Sequence, residues 1–122
     1  MVLVVDDDTH VREAIEGLLK SARFGAASFS SAEDVLESGL LAKASCVISD
    51  VRMPGMHGVE LLQRIKRDFP ALPVIMISGR RDEQVRQSAL AQGAVVFLFK
   101  PVEPDDLLHA IHLALNDPEK KI

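Results

Sequence analysis

The chain has 122 residues, 48% of them hydrophobic, which is enough for one domain with a real core and too short for a second. A net charge of −4, from 14 basic and 18 acidic residues, argues against a nucleic-acid surface, and the 4% aromatic content, all phenylalanine, offers no stacking platform for single strands. No apolar run approaches the ~20 residues that span a bilayer, no signal-peptide pattern opens the chain, and the single cysteine, Cys46, rules out an internal disulfide, so a cytoplasmic protein is expected.

Strand-like and helix-like stretches then alternate along the chain. Residues 2–6 are almost purely aliphatic, as in a central parallel strand covered on both faces, and they run into Asp6-Asp7-Asp8. Thr9 or Asp8 can cap a helix over about 9–22, where Val11, Ile15, Leu18 and Leu19 recur at helical spacing. Gly25 ends that unit, and Ala26–Phe29 is a short strand at an edge. Ser30-Ser31, followed by Glu33 and Asp34, starts a second helix expected to run through about residue 41. A third strand over about 45–49 holds Cys46 as a small core residue, runs to Asp50, and is broken by Met53-Pro54-Gly55. His57-Gly58 leads into a helix of about 58–68. Pro70 and Pro73 bracket the next loop, and a fourth strand over about 73–77 ends at Ser78-Gly79. The helix expected over about 82–92 is polar, with a thin apolar face of Val85, Ala89 and Leu90, which places it at the less stable end of the structure. The fifth strand, about 95–99, runs into Lys100-Pro101, and Asp105–Leu115 is the last amphipathic helix. Residues 1–116 are expected to form the domain, with 117–122 a tail or the start of a linker.

Five such units in this order predict an α/β fold, a single domain built on a doubly wound five-stranded parallel sheet. Ligands of such sheets bind at the carboxyl ends of the strands, so Asp6, Asp7, Asp50, Ser78 and Lys100 should share one edge. Three carboxylates beside one lysine suit a hard divalent cation such as Mg2+, with the lysine offsetting residual negative charge. Asp6 and Asp7 are adjacent and would leave a regular strand on opposite faces; both reach one site only where the backbone turns. The carbonyl of Arg52 offers a further oxygen. Taken singly, Lys100 could be a solvated strand end, Ser78 a turn residue and Asp6–Asp8 a capping cluster; the whole set outweighs those plainer roles. A carboxylate beside a metal can attack a phosphoryl group covalently or serve a hydrolysis, and Ser78 could donate a hydrogen bond to phosphoryl oxygens.

The motifs Val4-Val5-Asp6-Asp7-Asp8, Ser49-Asp50-Val51-Arg52-Met53-Pro54-Gly55-Met56-His57-Gly58, Ile77-Ser78-Gly79 and Phe99-Lys100-Pro101 cover the chain in one order. As a set they resemble the receiver domain of two-component response regulators. The resemblance implies a flavodoxin-like (βα)5 fold, with Asp50 phosphorylated by a sensor histidine kinase or phosphotransfer protein. It implies Mg2+ on Asp6, Asp7, Asp50 and the Arg52 backbone carbonyl. It also implies that Ser78 and Lys100 contact the phosphoryl group, that Ser78 and Phe97 form the switch, and that the Lys100–Pro101 bond is cis. His57 departs from the aspartate usual in the family and is expected to cap the following helix; Phe97 lacks the hydroxyl of the commoner tyrosine. Arg52 and Arg80 should flank the pocket mouth and influence dephosphorylation and partner choice.

The expected function is therefore a phosphorylation-controlled switch whose 82–115 surface changes to control an output partner or homodimerisation, with at most self-phosphorylation and autodephosphorylation activity. Direct nucleic-acid or membrane binding by this domain is not expected. A small Mg2+-dependent phosphohydrolase is the enzymatic alternative, but the sequence shows neither a second acid placed for water activation nor a cap domain. A receiver-like module that only binds partners is the third reading. A nucleotide or flavin site is disfavoured, because acids stand where a Gly-x-Gly-x-x-Gly turn would follow the first strand.

Overall fold

Within each strand alternate residues enter two different cores, and the layering of the molecule follows from that division. In the computed structural model, which describes residues 1–115, the first strand, β1 (Val2–Val5), sends Val2 and Val4 to one side and Leu3 and Val5 to the other. Helices α1 (Thr9–Ser21) and α5 (Pro104–Leu115) cover the first side through Ile15, Leu19, Leu107 and Ile111. Helices α2 (Ala32–Glu37), α3 (Gly58–Asp68) and α4 (Glu83–Ala91) cover the second through Val35, Leu61, Leu62, Ile65 and Ala89. The remaining strands are β2 (Ala26–Phe29), β3 (Cys46–Asp50), β4 (Val74–Ser78) and β5 (Val96–Phe99). All pair in parallel in the order β2-β1-β3-β4-β5, a flavodoxin-like (βα)5 arrangement. β1, β3 and β4 are wholly buried, as the near-continuous aliphatic runs require.

Local chemistry sets the element ends. Asp8 caps α1 by accepting from the His10 and Val11 N–H groups, Ser31 caps α2 through the Asp34 N–H, and Asp82 caps α4. Pro104 opens α5 at a position where its missing N–H costs nothing. The second helix is shorter than the sequence suggests. It stops at Glu37 because the Ser38 hydroxyl bonds the Val35 carbonyl and accepts from Leu40 N–H, while Gly39 adopts φ +75°. Leu41 then reaches the core from a short 3₁₀ turn, Leu41–Lys43. His57 occupies the N-cap position of α3, but its imidazole makes no capping hydrogen bond, so the expected side-chain cap is not formed. The tail expected over 117–122 lies outside the described residues. Among those described, no helix is long and apolar enough to cross a membrane.

Two glycines should respond oppositely to alanine. A methyl on Gly58 would collide with the backbone carbonyl of Asp50, whereas one on Gly17, itself exposed on α1, would meet nothing within 4 Å. Gly58→Ala should lower stability by about 1–3 kcal/mol, and Gly17→Ala should raise it by about 1 kcal/mol. Urea midpoints at unchanged slope check both.

Candidate functional site

The strand order places β1 and β3 side by side at the point where the chain reverses its winding, and the site lies at their carboxyl ends. Val5 pairs with Ser49, so Asp6 and Asp50 leave neighbouring strands at the same level; Asp50 lies opposite Ile77, and Ser78 opposite Phe99. Asp6, Asp50 and Ser78 are buried, Asp7 is exposed, and their placement is the one expected from the sequence. Carboxylate oxygens of Asp6, Asp7 and Asp50 lie within 4.8 Å of one another. The Lys100 ammonium sits 3.0 Å from Asp6 Oδ2 and 3.4 Å from Asp50 Oδ2, and the Lys100–Pro101 bond is cis.

The electrostatics follow from this packing. Burial pushes the Asp50 carboxyl up to about 6; the Asp6 charge adds to the rise, and Lys100 and the Arg52 N–H only partly oppose it. Burial pulls Lys100 down, but its contacts with Asp6 and Asp50 more than offset this and hold its pKa above the ordinary lysine value. Asp6 Oδ1 accepts from the Asp8 N–H at 2.9 Å. Asp6 Oδ2 is buried and takes no aligned hydrogen bond, its contact with Lys100 being an ion pair. A buried carboxylate with one oxygen free of aligned hydrogen bonds, clustered with two further carboxylates, fits a hard cation, which takes oxygen ligands and keeps several waters.

The structure separates the three consecutive acids: Asp6 and Asp7 join the cluster and Asp8 caps α1. The Ser78 hydroxyl is engaged by its own loop, donating to the Arg80 carbonyl at 3.0 Å and accepting from the Arg80 N–H at 3.2 Å. Phe97 is buried and packs edge-on against Phe99 at 5.4 Å, and Arg81 lies over the Phe99 ring at 4.9 Å. Arg52 and Arg80 are both exposed. Two contacts carry no signal in the sequence. Arg12, near the start of α1, donates from Nη1 to the Asp6 carbonyl at 2.7 Å. Glu33, on the first turn of α2, accepts from the Met56 N–H at 3.2 Å and so holds the loop after Asp50. Glu33 joins segments that meet only in the folded chain, and Arg12 bonds back six residues to a backbone carbonyl, which no side-chain pattern marks.

The response regulator receiver domain family matches residues 2–112, and the chain belongs to this family, the phosphorylation-dependent switch domain of two-component systems. It is a signalling domain whose general function is phosphorylation on aspartate, and its members generally bind Mg2+. The transcriptional regulatory protein FixJ of Bradyrhizobium diazoefficiens is 39% identical over 97% of this chain and 58% of its own length. The DNA-binding transcriptional regulator NtrC of Escherichia coli K12 is 36% identical over 95% of this chain and 25% of its own. The chain thus spans only part of these curated relatives. A response regulator receiver domain from Clostridium thermocellum superposes with a TM-score of 0.90 at 30% identity, covering 99% of this chain and 98% of that one.

The raised Asp50 pKa makes a prediction for metal-free protein. The folded chain keeps this proton up to about 6 while the unfolded chain releases it near 3.8, so the folded state binds more protons in that window and stability falls as pH rises through it. The gap corresponds to about 3 kcal/mol at neutral pH. Asp50→Asn removes the cost: it should be more stable than wild type at pH 7 by up to about 3 kcal/mol and should lose the slope between pH 4 and 6. Urea unfolding across that range, with chelator present, checks it.

Proposed function

We propose that Asp50 is the phosphoacceptor and that Lys100, Ser78 and the acids at the end of β1 are its machinery. The observation that carries this reading is the single ammonium placed between the Asp6 and Asp50 carboxylates. At neutral pH Asp50, with its pKa near 6, is mostly ionised and able to attack. Its oxygen bonds to phosphorus as the phosphorus–nitrogen bond of a kinase phosphohistidine, or the phosphorus–oxygen bond of acetyl phosphate, breaks and the leaving group departs with the electron pair. Mg2+, held by Asp6, Asp7, Asp50 and the Arg52 carbonyl, would neutralise charge on the phosphoryl oxygens. Lys100 supplies a fixed cation on the same side, and Ser78 exchanges its two bonds with Arg80 for one to the phosphoryl group. That exchange frees the 79–82 loop, and Phe97 and the 82–115 surface follow. Self-phosphorylation and autodephosphorylation are the only chemical activities in this reading. Neither the phosphohydrolase nor the binding-only module is favoured by the family match. The setting is cytoplasmic, the donor a sensor histidine kinase or phosphotransfer protein, and residues 1–116 the receiver. The relatives named as transcriptional regulators support an output that controls transcription.

A groove of about 410 Å³ on the 82–115 face supports homodimerisation as the readout. Arg81 and Arg86 line it together with Glu103 and Asp106, with Phe97 and Phe99 among the residues between. Cations and carboxylates in one patch suit a two-fold pairing in which each copy meets opposite charge.

Incubation with acetyl phosphate should add one phosphoryl group by intact mass in wild type, only with Mg2+, and none in Asp50→Asn. Labelling of the Asp50→Asn protein would overturn the assignment. In sedimentation velocity, phosphorylated wild type should shift toward dimer and Asp106→Arg should remain monomeric; a phosphorylated wild type that stays monomeric would move the output to a different partner.

A further inference from the structure

We propose that Arg12 is a positioning residue for the metal-binding acids: its guanidinium holds the backbone turn that brings Asp6 and Asp7 to one site. The inference rests on the metal role assigned above. Successive residues of a strand face opposite ways, so adjacent acids share a site only if the backbone departs from strand geometry between them. The departure occurs at Asp6. Its N–H still belongs to the sheet, donating to the Phe29 carbonyl at 3.1 Å, but β2 ends there and the Asp6 carbonyl is taken by Arg12 Nη1 at 2.7 Å. Nη2 of the same guanidinium donates to Thr9 Oγ1 at 3.1 Å, tying the turn to the first residue of α1.

Together with the Asp8 N–H on Oδ1, these contacts hold Asp6 at its N–H, its carbonyl and one carboxylate oxygen. The remaining atom, Oδ2, is the buried oxygen without an aligned hydrogen bond. Arg12 therefore fixes the direction of a ligand through its backbone, without a hydrogen bond to any of the three carboxylates.

Helix stability does not explain an arginine at this position. It follows the Asp8 cap by four residues, close to the positive end of the α1 dipole, where a cation is mildly unfavourable. A planar, permanently charged fork that makes two bonds in fixed geometry does explain it. The guanidinium also places positive charge against a turn that carries three consecutive carboxylates.

Calorimetric Mg2+ titration of the full chain tests this with Arg12→Ala, Arg12→Lys and Leu18→Ala, the last a truncation in the same helix that packs toward the α1/α5 core away from the turn. Arg12→Ala should weaken Mg2+ binding by about tenfold, the range seen when a partner that orients a metal ligand is removed. Arg12→Lys, with the charge but a single short donor, should fall between Arg12→Ala and wild type, and Leu18→Ala should match wild type despite lower stability. In acetyl phosphate labelling, the Mg2+ concentration for half-maximal rate should rise by the same factor while the rate at saturating Mg2+ stays within about twofold. Wild-type affinity in both Arg12 variants, or equal weakening in Leu18→Ala, would overturn the proposal and leave the site reading standing. Absence of Mg2+ binding in the wild type would overturn both.

Discussion

Two buried carboxylates in neighbouring strands repel one another, and Lys100 is what lets them coexist. Removing even one charge from water is costly, and two acids sharing a site drive each other toward protonation. The ammonium reaches both, at 3.0 and 3.4 Å, yet leaves Asp50 with a pKa of about 6 and Asp6 with an unaligned oxygen. One ammonium thus neutralises the pair incompletely. A parallel sheet makes this arrangement attainable, because it delivers Asp6, Asp50, Ser78 and Lys100 from four strands to one edge without any loop having to search for its place.

The rest of the fold is built to keep that edge still. β1, β3 and β4 are wholly buried between α1 and α5 on one side and α2, α3 and α4 on the other, so the strand ends cannot shift without disturbing two cores. Gly58 lets α3 start hard against the Asp50 backbone, and its N–H donates to the Val51 carbonyl at 2.9 Å. Glu33 reaches from α2 to the Met56 N–H and secures the loop that carries Arg52. The outer ion pairs Arg64–Glu60 and Arg86–Glu83 are exposed and of small energetic weight.

What could be read from the sequence was whatever repeats at short range. Aliphatic runs ending in acids, a serine or a lysine showed the strands and the site, because strand direction alone fixes where those groups go. Cap residues such as Ser31 and Asp82 marked helix starts for the same local reason. The second helix was read too long, since Leu40 and Leu41 continue an apolar face on paper while Ser38 and Gly39 end the helix through hydrogen bonding and a positive φ. His57 looked like a cap by position and makes no capping bond. Arg12 and Glu33 were invisible as site residues, because their partners are backbone groups, and a carbonyl or N–H carries no signature in a sequence.

The attachment of α4 is asymmetric, and this has a mechanical consequence. At its carboxyl end Gln92 is hydrogen-bonded to Gln63 of α3, and the aliphatic stem of Lys66 packs over Gly93. At its amino end the helix hangs from the short Ser78–Asp82 loop, and Ala89, near the anchored end, is its one fully buried side chain. A rod held more firmly at one end would act as a lever, so a displacement of the loop would move Glu83 and Arg86 more than Ala91, with the half-buried Val85 the core contact it has to carry along. In the half of the helix farthest from Gln92, Glu83, Gln84 and Gln87 are exposed, so its outer face can change without disturbing the core.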